Sequence, residues 1–200
     1  LAGLVAVAGA LLLLGGGGPP EGSAAQLAPV YLTTALPYDS SPFGFHPASV
    51  GGFPNLSFAG AQDIGVRWHR PPVYAFWFLV QPSLGSPSYD WTLYDGQYGS
   101  VPAGINILAN ITLGPESEGY SLPGSYLPVD NAKYQAFVRA AVERYDGDGV
   151  SDMPGLVTPI RYWQVDNEPN NTVRSDFAQL QVLTHTAIKD ACPDCRVLIG

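Results

Sequence analysis

Two hydrophobic periods alternate along the chain. Tyr134, Phe137, Val138, Ala141, Val142 and Tyr145 fall at i, i+3, i+4, i+7, i+8 and i+11, which predicts an amphipathic helix over Asp130 to Tyr145 with Asp130 as its N-cap. A second stripe of Phe177, Leu180, Thr184, Ala187, Ile188 and Ala191 predicts another helix, capped by Ser175. Between them the run Arg161-Tyr162-Trp163-Gln164-Val165-Asp166-Asn167-Glu168 has period two. Trp163 and Val165 share one face, and Gln164, Asp166 and Glu168 share the other. Pro169 has no N–H and biases Glu168 away from helical geometry, so this strand must stop there. An edge strand would account for a polar face, but polar groups turned into the lumen of a barrel account for it better.

The rest of the chain continues the alternation. Pro42 to His46 reads as a first strand, Asn55 to Ile64 as a helix with Gly65 at its C-cap, and Val66 to Arg70 as a second strand ended by Pro71-Pro72. Residues 73 to 91 form a long aromatic segment, after which Asp90 or Thr92 starts a helix that ends near Gly104. Ile105 to Ile111 reads as a third, largely buried strand, residues 114 to 128 as a loop, and Arg196 onward as one more strand. Repeated strand–helix units predict an α/β fold with a parallel sheet and helices outside it. A doubly wound sheet is disfavoured because no Gly-rich phosphate turn follows the first strand, which also weakens a dehydrogenase reading. Long loops and polar residues after the strands suit the catalytic face of a (β/α)8 TIM barrel. A whole barrel takes about 250 residues, and the folded part here is roughly 175, so the expectation is an incomplete barrel of about the first five β/α units.

The leader changes the picture of where the protein works. Leu1 to Leu14 is uncharged and apolar, short for a bilayer span and suited to the core of a secretory signal, with Ser23-Ala24-Ala25 as a small-x-small cleavage site. Residues 1–25 are therefore expected to be a signal peptide truncated at its start, or a membrane anchor. Residues 26–40 follow as a linker or N-terminal extension, and 41–200 as the barrel part. The protein is expected to be secreted or extracytoplasmic, with membrane contact only through such an anchor. Charged residues make up 13% of the chain, and nine Lys and Arg stand against a formal net charge of −8. That composition is wrong for binding nucleic acid or an anionic membrane surface. Cys192 and Cys195 are too few for a zinc site and no His is spaced to complete one; in an exported protein a local disulfide is plausible. Asp146 to Asp152 alternates Asp with Gly like a calcium loop but lacks the Glu that closes an EF-hand, and a solvated turn accounts for it equally. No metal and no cofactor are assigned.

Trp163-Gln164-Val165-Asp166-Asn167-Glu168-Pro169 resembles the strand-four signature of the clan A glycoside hydrolases, which are retaining (β/α)8 enzymes. Phe43-Gly44-Phe45-His46 is similar to the clan's first strand and Gly65-Val66-Arg67-Trp68-His69-Arg70 to its second. Trp77, Gln81-Pro82, Tyr89-Asp90-Trp91 and Asp95 resemble a loop motif of family 39, 5 and 42-type members. The resemblance covers roughly residues 40 to 200 and implies cleavage of O-glycosidic bonds in a carbohydrate substrate. It implies Glu168 as general acid/base and Asn167 as the partner of the sugar 2-hydroxyl, which requires an irregular strand end because strict alternation turns Asn167 outward. It also implies that Arg70, or Arg67 in the opposite pleat, neighbours the nucleophile.

The chemistry asks for these residue types on its own account. One carboxyl must protonate the leaving oxygen, and a second, about 5–5.5 Å away, must attack the sugar carbon if configuration is retained. His46 and Asn110 are placed to meet sugar hydroxyls, and Trp68, Trp77, Trp91 and Tyr120 are aromatic faces available for stacking on sugar rings. In the family the nucleophile is a Glu at the end of strand seven, beyond residue 200. The 200 residues alone thus hold one catalytic carboxyl of two and are expected to be inactive. The rival reading is a non-catalytic carbohydrate-binding barrel. Sugar specificity and oligomeric state are not legible.

Overall fold

The computed structural model describes residues 41–46, 58–169 and 174–200, without the side chain of Arg174. The leader and linker expected over residues 1–40, and the start of the helix expected from Asn55, lie outside them. In chain order the elements are β1 (Gly44–Phe45), α1 (Phe58–Asp63), β2 (Trp68–His69), β3 (Ala75–Phe76) and α2 (Trp77–Val80). They continue with α3 (Thr92–Gly99), β4 (Asn106–Thr112), a 3-10 turn (Glu116–Glu118) and α4 (Asn131–Tyr145). The series closes with β5 (Tyr162–Val165), α5 (Arg174–Ala191) and β6 (Arg196–Ile199). β1, β2, β4, β5 and β6 lie side by side in that order, every pairing parallel, while β3 pairs with the C-terminal end of β4. All of this lies within one compact unit, Ala35–Gly200.

Register separates the two faces of this sheet. Trp68 pairs with Asn106, Leu108 with Tyr162 and Asn110 with Gln164, so these residues share one face, and Thr112 continues it. His69, Ile107, Ala109, Ile111, Trp163 and Val165 share the other, where each is buried. The second face carries the helices. Asp130 caps α4 as expected, its Oδ1 accepting the Lys133 N–H at 3.0 Å, and the six residues of the α4 stripe are all buried. Leu180, Thr184, Ala187 and Ile188 of α5 are buried against them, and Thr184 Oγ1 lies 2.8 Å from the Tyr134 hydroxyl. β5 sits between β4 and β6, which excludes the edge-strand explanation of its polar face.

Several sequence expectations are corrected. Ser175 lies inside α5, which begins one residue earlier, so it is not the cap. α3 ends at Gly99 rather than near Gly104, which instead turns the chain into β4 with φ of 83°. The aromatic segment contains β3 and α2, which no hydrophobic period announced. Its motif residues are structural. Trp77 is fully buried and stacks on Phe137 of α4, while its Nε1 donates to Gln81 Oε1 at 2.7 Å. Trp91 stacks on the same Phe137, and the buried Tyr120 donates its hydroxyl to the Gln81 carbonyl. Burial leaves neither Trp77 nor Tyr120 free to stack on a sugar, and the half-buried Trp91 is packed against Phe137.

Asp95 joins α3 to α4. Its carboxylate accepts Arg144 Nε at 2.8 Å, Arg144 Nη2 at 2.5 Å and the Tyr145 hydroxyl at 2.9 Å. Burial pushes this carboxyl up, but the Arg144 and Tyr145 donors outweigh it and hold it below the usual range. A depressed carboxyl stabilises the fold above its unfolded pKa and loses that contribution as pH falls through the folded value. Asp95→Ala is expected to cost about 1–3 kcal/mol at neutral pH, the range for hydrogen bonds to charged groups. A lower urea midpoint would register it, with the gap from wild type closing in acid.

The Cys192–Cys195 disulfide is formed, at the C-terminal end of α5. Among the described residues no helix is long and apolar enough to cross a membrane. Asp146, Asp148 and Asp152 place carboxylate oxygens within 4.8 Å of one another, and Asp152 accepts the N–H groups of Gly147 and Gly149.

Candidate active site

The C-terminal ends of parallel strands meet at one rim, and the polar face of the sheet delivers side chains there. β5 stops at Val165. Asp166 follows with φ of 59° and Glu168 with φ of 49°, both in the left-handed region that disfavours residues with a Cβ. The alternation that placed Gln164, Asp166 and Glu168 on one face therefore ends with the strand. Glu168 is exposed on an irregular tip, and Asn167 is half-buried instead of being turned outward. This is the irregular strand end that a role for Asn167 requires.

Arg70 and Asn167 are brought together from positions far apart in the chain. Arg70 Nη2 donates to Asn167 Oδ1 at 2.7 Å, and the guanidinium lies 5.0 Å from the centroid of the Tyr74 ring. A guanidinium only donates, so it fixes the Asn167 carboxamide with its oxygen inward and leaves the NH2 as a donor for a ligand. Arg67, the alternative cation, instead donates to the carbonyls of Gln62 and Val66 at the end of α1. His46 is exposed after β1, and its Nδ1 lies 2.9 Å from the Arg70 carbonyl. A carbonyl only accepts, so Nδ1 carries the proton in this contact. His46, Trp68 and Arg70 line one cleft of about 360 Å³, with Leu108 beside them. Trp68 packs edge-on against Tyr162 at 4.6 Å between centroids. It is the one stacking candidate that the fold leaves on the polar face.

Asn110 lies inside β4, within the strand expected over Ile105 to Ile111, and is buried, with neither Oδ1 nor Nδ2 partnered. Arg70 Nε is likewise buried without a partner. Unmade hydrogen bonds of this kind cost about 1–3 kcal/mol each.

A second cleft of about 390 Å³ opens above β3, β4 and β5, lined by Tyr74, Phe76, Thr112, Tyr126, Asp166 and Asn167 among others. The sequence pattern marks Asp166 only as a lumen-facing polar group and does not single out Thr112. Its parity with Asn110 on β4 was the available signal, whereas nothing in the sequence marked Tyr74 or Tyr126. Asp166 Oδ1 accepts the Thr112 hydroxyl at 3.2 Å and the Asn167 N–H at 2.8 Å. Burial pushes the Asp166 carboxyl above the usual range despite these two donors. A raised carboxyl contributes most below its unfolded pKa and loses that contribution as pH rises through the folded value. Asp166→Asn keeps an acceptor oxygen and removes the buried charge. It is expected to be more stable than wild type at neutral pH, with the advantage vanishing in acid, as read from urea midpoints across pH.

The fold is similar to that of a family 39 glycoside hydrolase from the gut symbiont Bacteroides cellulosilyticus WH2, at 19% identity and a TM-score of 0.55 over 72% of this chain and 28% of that one. It is also similar to a glucosidase from Croceicoccus marinus, at 17% identity and a TM-score of 0.54 over 68% of this chain and 30% of that one. No family model and no curated protein matches the sequence. The likeness shows the fold: a parallel α/β sheet like part of the TIM barrel of these structures. The chain spans less than a third of the length of either structure.

Proposed function

We propose that the full-length protein is an exported, retaining glycoside hydrolase that cleaves O-glycosidic bonds of a poly- or oligosaccharide, with Glu168 as its general acid/base. The observation that carries this reading is the 2.7 Å bond from Arg70 to Asn167. It ties the end of one parallel strand to the Asn-Glu tip of another at the rim where barrel enzymes work. In this reading the Asn167 NH2 meets the sugar 2-hydroxyl, Arg70 sits beside the nucleophile, and Trp68, His46 and Asn110 line the sugar site. The nucleophile is a second carboxylate contributed by residues outside these 200, about 5–5.5 Å from Glu168. The glycosidase names of the structural neighbours support the reaction class. The apolar leader and the Cys192–Cys195 disulfide support an oxidising compartment.

The test is hydrolysis of aryl glycosides by the full-length protein, with the anomeric form of the first-released sugar followed by NMR. Retention is expected. Inversion would refute the two-carboxylate displacement, and tight sugar binding without turnover would move the protein to the carbohydrate-binding class.

A further inference from the structure

The left-handed turn that ends β5 is held by side-chain and backbone contacts on several sides. The Asp166 N–H donates to the Ile111 carbonyl at 2.9 Å, and the Asp166 carboxylate folds back to accept the Asn167 N–H. The buried Thr112 holds the same carboxylate oxygen from β4. From the β6 side, the Gly200 N–H donates to the Val165 carbonyl at 3.1 Å. A Cβ placed on Gly200 would come within 2.5 Å of the Asp166 carbonyl, so the backbones are in close approach there. A strained backbone persists only where its surroundings over-determine it. Here they do so one residue before the carboxamide that Arg70 grips.

We propose that Asp166 is a positioning residue for the glycosidase site: its carboxylate, held by Thr112, locks the Asn167 backbone so that Arg70 can fix the Asn167 carboxamide toward the substrate. This rests on the glycosidase reading for its consequence in catalysis, but not for its geometry. Gly makes a turn at φ of 59° without steric cost, and Asp tolerates the same region because its short side chain bonds the local backbone. What Asp adds over Gly is a carboxylate oxygen that accepts two donors. The needed feature is therefore an acceptor at this position, which Asn also supplies while tolerating the left-handed region.

The test compares Asp166→Gly, Asp166→Asn and Asn167→Ala in the full-length protein by kinetics, thermal midpoint and hydrogen exchange of the Asn167 amide. Asp166→Gly is expected to fold with an undiminished thermal midpoint yet lose about 10²-fold in kcat/KM, the scale of a small misplacement of a substrate-positioning group. The loss should be much smaller on the 2-deoxy glycoside, as for Asn167→Ala, because the defect acts through the 2-hydroxyl contact. The Asn167 amide should exchange at least about tenfold faster in Asp166→Gly and stay protected in Asp166→Asn, whose activity should remain within about threefold of wild type. Undiminished activity and protection in Asp166→Gly would overturn the proposal. So would an Asp166→Asn variant as impaired as Asp166→Gly. If wild type hydrolyses no glycoside but the exchange pattern holds, the positioning stands and the glycosidase reading falls. If the exchange pattern fails, the positioning falls whatever the activity.

Discussion

Glu168→Ala in the full-length protein is expected to lower kcat/KM by about 10²–10⁴-fold on glycosides with poor leaving groups, the range for losing a general acid/base. The expected dependence on leaving group follows from where the proton is needed. An alkoxide leaves poorly unless protonated as the bond breaks, whereas an activated phenolate departs with little help. The first step should therefore suffer most on natural-type glycosides and least on dinitrophenyl ones. Hydrolysis of the covalent intermediate also needs a base to deprotonate water. Azide needs no base, so it should restore turnover on activated substrates and appear in the product as a glycosyl azide. Glu168 has φ of 49°, a conformation that strains Glu and Ala alike, so the substitution adds no backbone strain, and Glu168→Gln serves as a control that keeps side-chain bulk. Near wild-type turnover by both variants, with no azide product, would remove Glu168 from the reaction.

Arg70→Met is expected to fall by about 10²-fold in kcat/KM, and Arg70→Lys to recover little of it. The guanidinium does two things at once that an ammonium cannot: it donates in-plane to Asn167 and lies over the Tyr74 ring. Without it the Asn167 carboxamide is free to flip between donor and acceptor toward the substrate, and under the proposed function the nucleophile loses a neighbouring cation. The half-buried setting adds a stability cost of about 1–3 kcal/mol for the lost charged hydrogen bond. The two effects separate by measuring kcat/KM well below the thermal midpoint of each variant. Full activity in Arg70→Lys would show that only a positive charge is needed here, and the oriented bond to Asn167 would then carry no weight in catalysis.

The glycosidase-like resemblance and the structure agree most closely where the reasoning was local. Asp130 and the six-residue stripe of α4 were read correctly because a cap and a 3.6-residue period are properties of neighbouring residues. The polar face of β5 was legible for the same reason, up to Val165. Beyond that point no period describes Asp166 and Glu168, whose left-handed angles end the alternation. The Trp77, Gln81, Trp91 and Asp95 motif was visible as a string but not as a function. Its aromatics and carboxylate are engaged with Phe137 and Arg144 of α4, partners 46 to 60 residues away that the string does not contain.

By itself, then, the sequence determined the strand–helix alternation, the buried stripes of the two long helices and the Asn-Glu tip of a polar-faced strand. Each is encoded in residues close in the chain, where side-chain spacing and backbone preference act directly. Only the tertiary structure decided that Arg70 rather than Arg67 meets Asn167, and that Trp68 alone of the aromatic candidates keeps to the polar face. It also decided that Asp166 and Thr112 share a hydrogen bond behind the tip. Those choices depend on the register between strands brought together from distant parts of the chain. A shift of one residue reverses which face a side chain occupies, and that register is set by packing across the sheet rather than by any one segment of it.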